Sequence, residues 1–205
     1  MSSPRLTDMA RTGLTLLALL AAAGCAGPGP ARDDASAATG TIEPAAGEAV
    51  TREVPPAALT QFEQATAVMA AGDFTDAELR FKEFVLLYPD YPGAWTNLAI
   101  IHVANGNDEA ARDALDTALQ LDPDYPVALN QLGMLLRRNG NFLEAEAAYM
   151  KAVTVSPDYA LAHYNLGVLN ELYLQRLEVA LQHFETYQSL VGEDKQVEKW
   201  ISDLR

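Results

Sequence analysis

The side chains of this 205-residue sequence that could do chemistry are three histidines, one cysteine and a surplus of carboxylates. Neutral imidazole can act as a general base or a metal ligand near pH 7, so His102, His163 and His183 come first. No carboxylate or cysteine joins His102 and His163 at the spacing a metal site needs, and His183 stands directly before the apolar Phe184. Packed or surface histidines are the simpler reading of all three. Acid pairs such as Asp108-Glu109 and Glu144/Glu146 have the look of solvated helix faces. There is no Gly-rich phosphate loop, no Gly-x-Ser-x-Gly elbow and no His-Glu-x-x-His. The expectation is a protein that is not an enzyme and has neither cofactor nor metal centre.

The lone cysteine, Cys25, excludes an intramolecular disulfide framework, so packing alone must hold the fold. Its surroundings are informative. Arg5 and Arg11 precede an apolar run, Leu14 to Ala23, which is too short to cross a bilayer and ends in Ala-Ala-Gly-Cys, a signal-peptide pattern. Ala23 and Gly24 directly before Cys25 resemble the lipobox of bacterial lipoproteins. That resemblance implies a signal peptide over 1–24, removed to leave Cys25 as an acylated first residue. Ordinary secretory cleavage after Ala-x-Ala and a buried structural thiol are the alternatives. Multiple acylation, which the resemblance implies, anchors stably where one chain holds only marginally. Ala26 after the cysteine, where Asp would favour retention at the inner membrane, implies the outer membrane, facing the periplasm.

Between Ala26 and Pro56 the residues are mostly Ala, Gly, Pro, Thr, Asp and Glu, which cannot bury enough apolar surface to order themselves. Residues 25–57 are therefore expected to be the lipidated cysteine and a disordered tether. A flexible segment of that length spans roughly 30 Å, at about 5 to 6 Å times the square root of its length.

The elements that position everything else announce themselves as a repeat. Pro89-Asp90-Tyr91, Pro123-Asp124-Tyr125 and Pro157-Asp158-Tyr159 return every 34 residues, as do Gly72, Gly106 and Gly140, and Ala77, Ala111 and Ala145. Within each unit, Gly followed by Asp73, Asn107 or Asn141 separates two segments of helical apolar spacing. Each unit reads as helix, turn, helix, turn. First helices carry i, i+3, i+4, i+7 stripes: Trp95, Leu98, Ala99 and His102, then Leu129, Leu132, Gly133 and Leu136. The small residue in the middle, Ala99, Gly133 or Gly167, predicts a close crossing with a large residue of the second helix.

With this period and these offsets the chain resembles the tetratricopeptide repeat family, whose period is 34 residues. The resemblance implies an all-α fold, a right-handed α-solenoid of stacked helix-turn-helix units with a C-terminal capping helix. Four units are expected over 58–191, at 58–91, 92–125, 126–159 and 160–191, the first and fourth degenerate, with the capping helix in 192–205. In the fourth, Ala180 and Phe184 fall one residue late, which predicts a longer turn over Tyr173 to Arg176.

A formal net charge of −14 argues against nucleic acid and anionic headgroups, both of which need clustered Lys or Arg. Membrane contact is expected through the lipid anchor only. The resemblance further implies a concave groove lined by first helices, whose facing positions are Phe62, Thr96, Asn97, Ile100, Asn130, Gln131, Met134, Arg137, Arg138, Tyr164 and Asn165. Carboxamides suit the backbone of an extended peptide, and Met and Tyr suit its side chains. Asn97 and Asn165 also read as scaffold residues. The adjacent Arg137 and Arg138 could clamp a carboxylate or simply favour the C-terminal end of their helix. The expected function is a non-enzymatic adaptor in the bacterial envelope that binds a peptide or helix of another envelope protein. Pilus, secretion, cell-wall and outer-membrane assembly all suit it. The alternative is a homo-oligomer stacked through its terminal repeats.

Overall fold

The computed structural model describes residues 55–205. The signal segment, Cys25 and residues 26–54 lie outside the described residues. The chain divides into units 1–59 and 60–205, and of the first only the opening of one helix is described. Among the described residues all regular structure is helical: α1 Pro56–Ala70, α2 Phe74–Leu87, α3 Pro92–Ala104, α4 Asp108–Leu121, α5 Pro126–Arg138, α6 Phe142–Val155, α7 Ala160–Leu169 with a π-turn Asn170–Leu174, α8 Leu177–Val191 and α9 Lys195–Leu204. The end of the expected tether needs correction, because α1 starts at Pro56. Proline serves at a first helical position, where its missing N–H has no partner to lose.

Local chemistry sets the boundaries. Gly72, Gly106 and Gly140 leave their helices at φ between +76° and +85°, a region L-residues avoid. The next residue then caps the second helix. Asp73 accepts from the Asp76 N–H at 3.0 Å and Asn107 from the Ala110 N–H at 3.1 Å, whereas Asn141 makes no such bond. Pro92 and Pro126 open α3 and α5.

Packing follows from one size rule. A Cβ placed on Gly133 of α5 would lie 2.5 Å from the Tyr149 ring of α6, and one on Gly167 of α7 would lie 2.5 Å from the Phe184 ring of α8. Ala65 with Phe81 and Ala99 with Leu115, all buried, hold the same positions in the earlier units. Small against large is repeated in all four, which is how close-packed layers interlock.

First helices of successive units lie against each other, α3 on α5 and α5 on α7. Each second helix reaches the next unit through the following first helix: α2 through α3, α4 through α5, α6 through α7. The first helices therefore form the inner face of the stack.

The fourth unit corrects one expectation. The extra residue is not spent in a longer turn over Tyr173 to Arg176. Helix α7 instead widens into the π-turn Asn170–Leu174 and ends on Gln175 at φ +55°, in the left-handed region that glycine holds in the other units. A π-turn takes in one residue while the helix continues, so α8 still brings Phe184 onto Gly167. Local bonds hold it: Asn170 Nδ2 donates to Leu166 O and Gln175 Nε2 to Glu171 O, both at 2.9 Å.

Helix α9 stands in the register of a fifth first helix. Ala94, Ala128, Ala162 and Val197 are each the third residue of α3, α5, α7 and α9, and all four are fully buried. Asp194 caps α9 by accepting from the N–H groups of Gln196 and Val197, at 2.9 and 3.2 Å. Trp200 packs 5.3 Å from Phe184 and 6.0 Å from Tyr164, ring centre to ring centre.

Candidate peptide-binding groove

The inner face of the first helices separates the sequence-derived groove residues into two groups. Thr96 and Asn130 are corrections, since they have no surface to offer a ligand. The Thr96 hydroxyl donates to Pro92 O of its own helix at 2.8 Å. The Asn130 carboxamide oxygen accepts from Asn165 Nδ2 at 2.9 Å, joining α5 to α7. A buried carboxamide needs such a partner to offset its desolvation, so this pair is scaffold. Ile100, Gln131 and Asn165 keep under a tenth of their surface. Burial also pushes the Tyr159 hydroxyl up to about 12, with the charge of Tyr125 adding to the rise, so it stays a neutral neighbour of Asn130.

Phe62, Asn97, Met134, Arg137 and Tyr164 remain half-exposed, and Arg138 is exposed. Phe62 stands edge-on to Phe81 and Phe84, each 5.7 Å away. Tyr164 faces the far end of the array, 5.3 Å from Tyr187 and next to Trp200.

The two arginines part company. Arg138 reaches back to the preceding unit, its Nη1 donating to Val103 O at 3.1 Å and its Nη2 lying 3.4 Å from Asp108 Oδ1. It is a tie between units, not a groove cation. Arg137 turns the other way. Its charge acts on Tyr149 and Tyr164, in each case opposing the rise in hydroxyl pKa that burial causes. Its Nη1 is buried with no hydrogen-bond partner among the described residues, and so is the Tyr149 hydroxyl. A half-exposed guanidinium on the inner face, with no ion pair among the described residues, is suited to pairing with an anionic group.

The histidines also sort themselves. His102 Nδ1 is 3.9 Å from Glu78 Oε1. His163 on α7 and His183 on α8 face each other, Nδ1 to Nδ1, at 3.1 Å. Sequence reasoning treated them singly and missed the pair. The signal was present: His163 takes the place of Trp95 and Leu129, and His183, once the extra residue is allowed for, that of Ala114 and Ala148. Two core columns of one unit each carry a histidine. Among the described residues no three His, Cys, Asp or Glu side chains gather to hold a metal ion, and no helix is long and apolar enough to cross a membrane.

The sequence profile of the tetratricopeptide repeat matches residues 62–126 and 130–194. This chain belongs to the tetratricopeptide repeat family. Such arrays are scaffolds for protein–protein contacts and are generally non-enzymatic. No curated protein matches the sequence. Among solved structures, the tetratricopeptide array is similar to pilF of Pseudomonas aeruginosa, with TM-score 0.66 and 21% identity over 72% of this chain and 67% of that one. It is also similar to MamA from Desulfovibrio magneticus, with TM-score 0.60 and 19% identity over 73% and 84% of the two chains. A third is the first tetratricopeptide domain of Spaghetti (RPAP3), bound to the HSP90 peptide SRMEEVD, with TM-score 0.52 and 20% identity over 55% and 91%. At these identities the likeness is one of fold.

Proposed function

We propose that this tetratricopeptide protein is a non-enzymatic adaptor, anchored through an acylated Cys25 to the bacterial envelope on the periplasmic face of the outer membrane. Its inner face holds an acidic peptide or helix of another envelope protein. The observation that carries the reading is Arg137: a half-exposed cation on the inner face, with no ion pair among the described residues and a charge felt by Tyr149 and Tyr164, in a chain of net charge −14. Phe62, Asn97, Met134 and Tyr164 would supply apolar and carboxamide contact along the same face. The peptide held by the RPAP3 domain, SRMEEVD, is rich in acids, which supports the same chemistry here. Helix α9 occupies the register at which a further repeat would dock, and this weighs against end-to-end stacking through the fourth unit.

The test of the groove is titration calorimetry with the acidic segment of a partner recovered by crosslinking in cells. Arg137→Ala should weaken binding by about 1.5 to 3 kcal/mol, the range for a hydrogen bond to a charged group, and added salt should weaken the wild-type complex more than the variant's. Arg138→Ala, which breaks the tie to Val103 and Asp108, should leave affinity unchanged. Equal losses in the two variants would move the site off Arg137. The anchor is tested separately. Cys25→Ala should release the protein from the membrane fraction or stall its processing, and a variant still processed and membrane-bound would end the lipoprotein reading.

A further inference from the structure

The His163–His183 pair, with His163 buried and His183 half-buried, is a titratable cluster that groove binding leaves without a role. His163 Nε2 lies 3.1 Å from Pro157 O, in the turn between the third and fourth units. A carbonyl only accepts, so His163 carries its proton on Nε2 and, when neutral, presents a bare Nδ1. His183 must then carry a proton on its own Nδ1 and donate it across the 3.1 Å gap. One tautomer dictates the other.

A first added proton is compatible with this arrangement, because either ring can take it while one hydrogen remains between the two Nδ1 atoms. A second is not. Both rings would then be cations with N–H groups pointing at each other, and the bond between α7 and α8 would become a repulsion.

We propose that the His163–His183 pair is an acid-sensitive latch: one shared proton closes the fourth repeat onto the turn before it, and a proton on each ring opens that repeat and its capping helix. The neighbourhood leaves the decision to the pair. Burial and then His163 are the influences on His183, with no carboxylate among them, and they push its pKa down from 6.5 to about 4. Glu144 of α6, Glu171 of the π-turn, Glu178 of α8 and Lys195, Lys199 and Asp203 of α9 are not among the influences on His183, and other charged groups on these elements are engaged elsewhere. Lys151 of α6 pairs with Asp124, Arg176 before α8 with Glu146, and Glu185 of α8 with Arg205. Asp194 accepts from the Tyr187 hydroxyl and Asp158 from Ser156 Oγ. Because the folded value lies below the unfolded one, the latch contributes in full above pH 6.5 and is lost as pH falls toward about 4. The two steps belong to the pair, not to one ring.

Trp200 packs on Phe184, the residue after His183, so it reports opening. In a Trp95→Phe background, Trp200 emission and thermal melts are followed from pH 7.5 to 4. The comparison is His183→Asn, whose Nδ2 can donate to His163 without titrating. Between pH 7.5 and 4.5 the melting temperature of the chain that keeps His183 should fall about 5 °C further than that of the His183→Asn variant, a difference of the size one or two lost interactions produce in a domain this long. Trp200 emission should shift only in the chain that keeps the histidine. Parallel pH profiles in the two chains would overturn the latch. Nitrogen-15 shifts of the wild-type imidazoles at pH 7.5 decide the matter even if the variant does not fold: Nε2–H on His163 with Nδ1–H on His183 supports it, and Nε2–H on both rings ends it.

Discussion

The third and fourth repeats solve one packing problem with different chains. In the third, α5 ends at a left-handed Gly140 and the second helix brings Tyr149 over Gly133. In the fourth there is one more residue and no glycine at the turn, yet Phe184 arrives over Gly167 at the same 2.5 Å from the position of a Cβ. The extra residue is taken up by the π-turn Asn170–Leu174 and by Gln175 in the left-handed region. The core pair is therefore the constraint, and the turn is what yields. Moving the pair by one residue would swing a large ring off the inner layer of α8, while widening one turn only replaces a few i→i+4 bonds with i→i+5 bonds. The fourth repeat also replaces apolar core positions with two histidines and adds a C-terminal aromatic cluster of Tyr164, Phe184, Tyr187 and Trp200.

The largest expected effect tests whether the two core pairs are equivalent. Gly133→Ala and Gly167→Ala each put a methyl group 2.5 Å from a fully buried ring that has little room to swing. Overpacking of this kind costs about 1 to 3 kcal/mol. Alanine in a helix interior otherwise gains roughly 0.5 to 1 kcal/mol over glycine, so the sign itself is diagnostic. Thermal or urea unfolding should show both variants destabilised by similar amounts. A stabilised Gly167→Ala would mean that the fourth pair is looser than the third, and the comparison would fail.

A smaller effect separates the turns. Gly140→Ala forces a side chain into φ +81° and should cost about 1 to 2 kcal/mol. Gln175→Gly relieves the same strain at φ +55° but gives up the bonds of Gln175 Nε2 to Glu171 O and Leu172 O. Its net change should be a gain below about 1 kcal/mol. Urea midpoints at an unchanged slope would measure both. A loss in Gln175→Gly comparable to that in Gly140→Ala would show that the glutamine side chain, rather than the backbone, organises the fourth turn.

Most of the scaffold could be read without coordinates, because it is built from local rules repeated. The Gly-Asp and Gly-Asn turns, the prolines opening α3 and α5 and the small residues at Ala99, Gly133 and Gly167 each report a contact made inside one unit or with the next. The groove was only partly readable. Thr96 and Asn130 occupy positions that look toward the inner face on a helical projection. Yet the projection does not show that Asn165 of the next unit covers Asn130, or that the Thr96 hydroxyl is turned back to Pro92 O.

Period and residue size, both properties of the chain as written, decide that this is a solenoid, which residues meet at each crossing and that an extra residue must be absorbed after Gly167. Tertiary structure decides how the absorption occurs, where each long side chain goes and which buried polar groups find each other. Arg137 and Arg138 are adjacent in sequence and alike in charge, but Arg138 reaches Val103 and Asp108 while the charge of Arg137 acts on Tyr149 and Tyr164. His163 and His183 are separated by a turn and a helix boundary, and only the packing of α7 on α8 brings their Nδ1 atoms to 3.1 Å. The physical reason is range. Backbone conformation and helix periodicity are set by neighbours along the chain, whereas a charge or a proton responds to whatever the packed neighbours bring within a few ångströms.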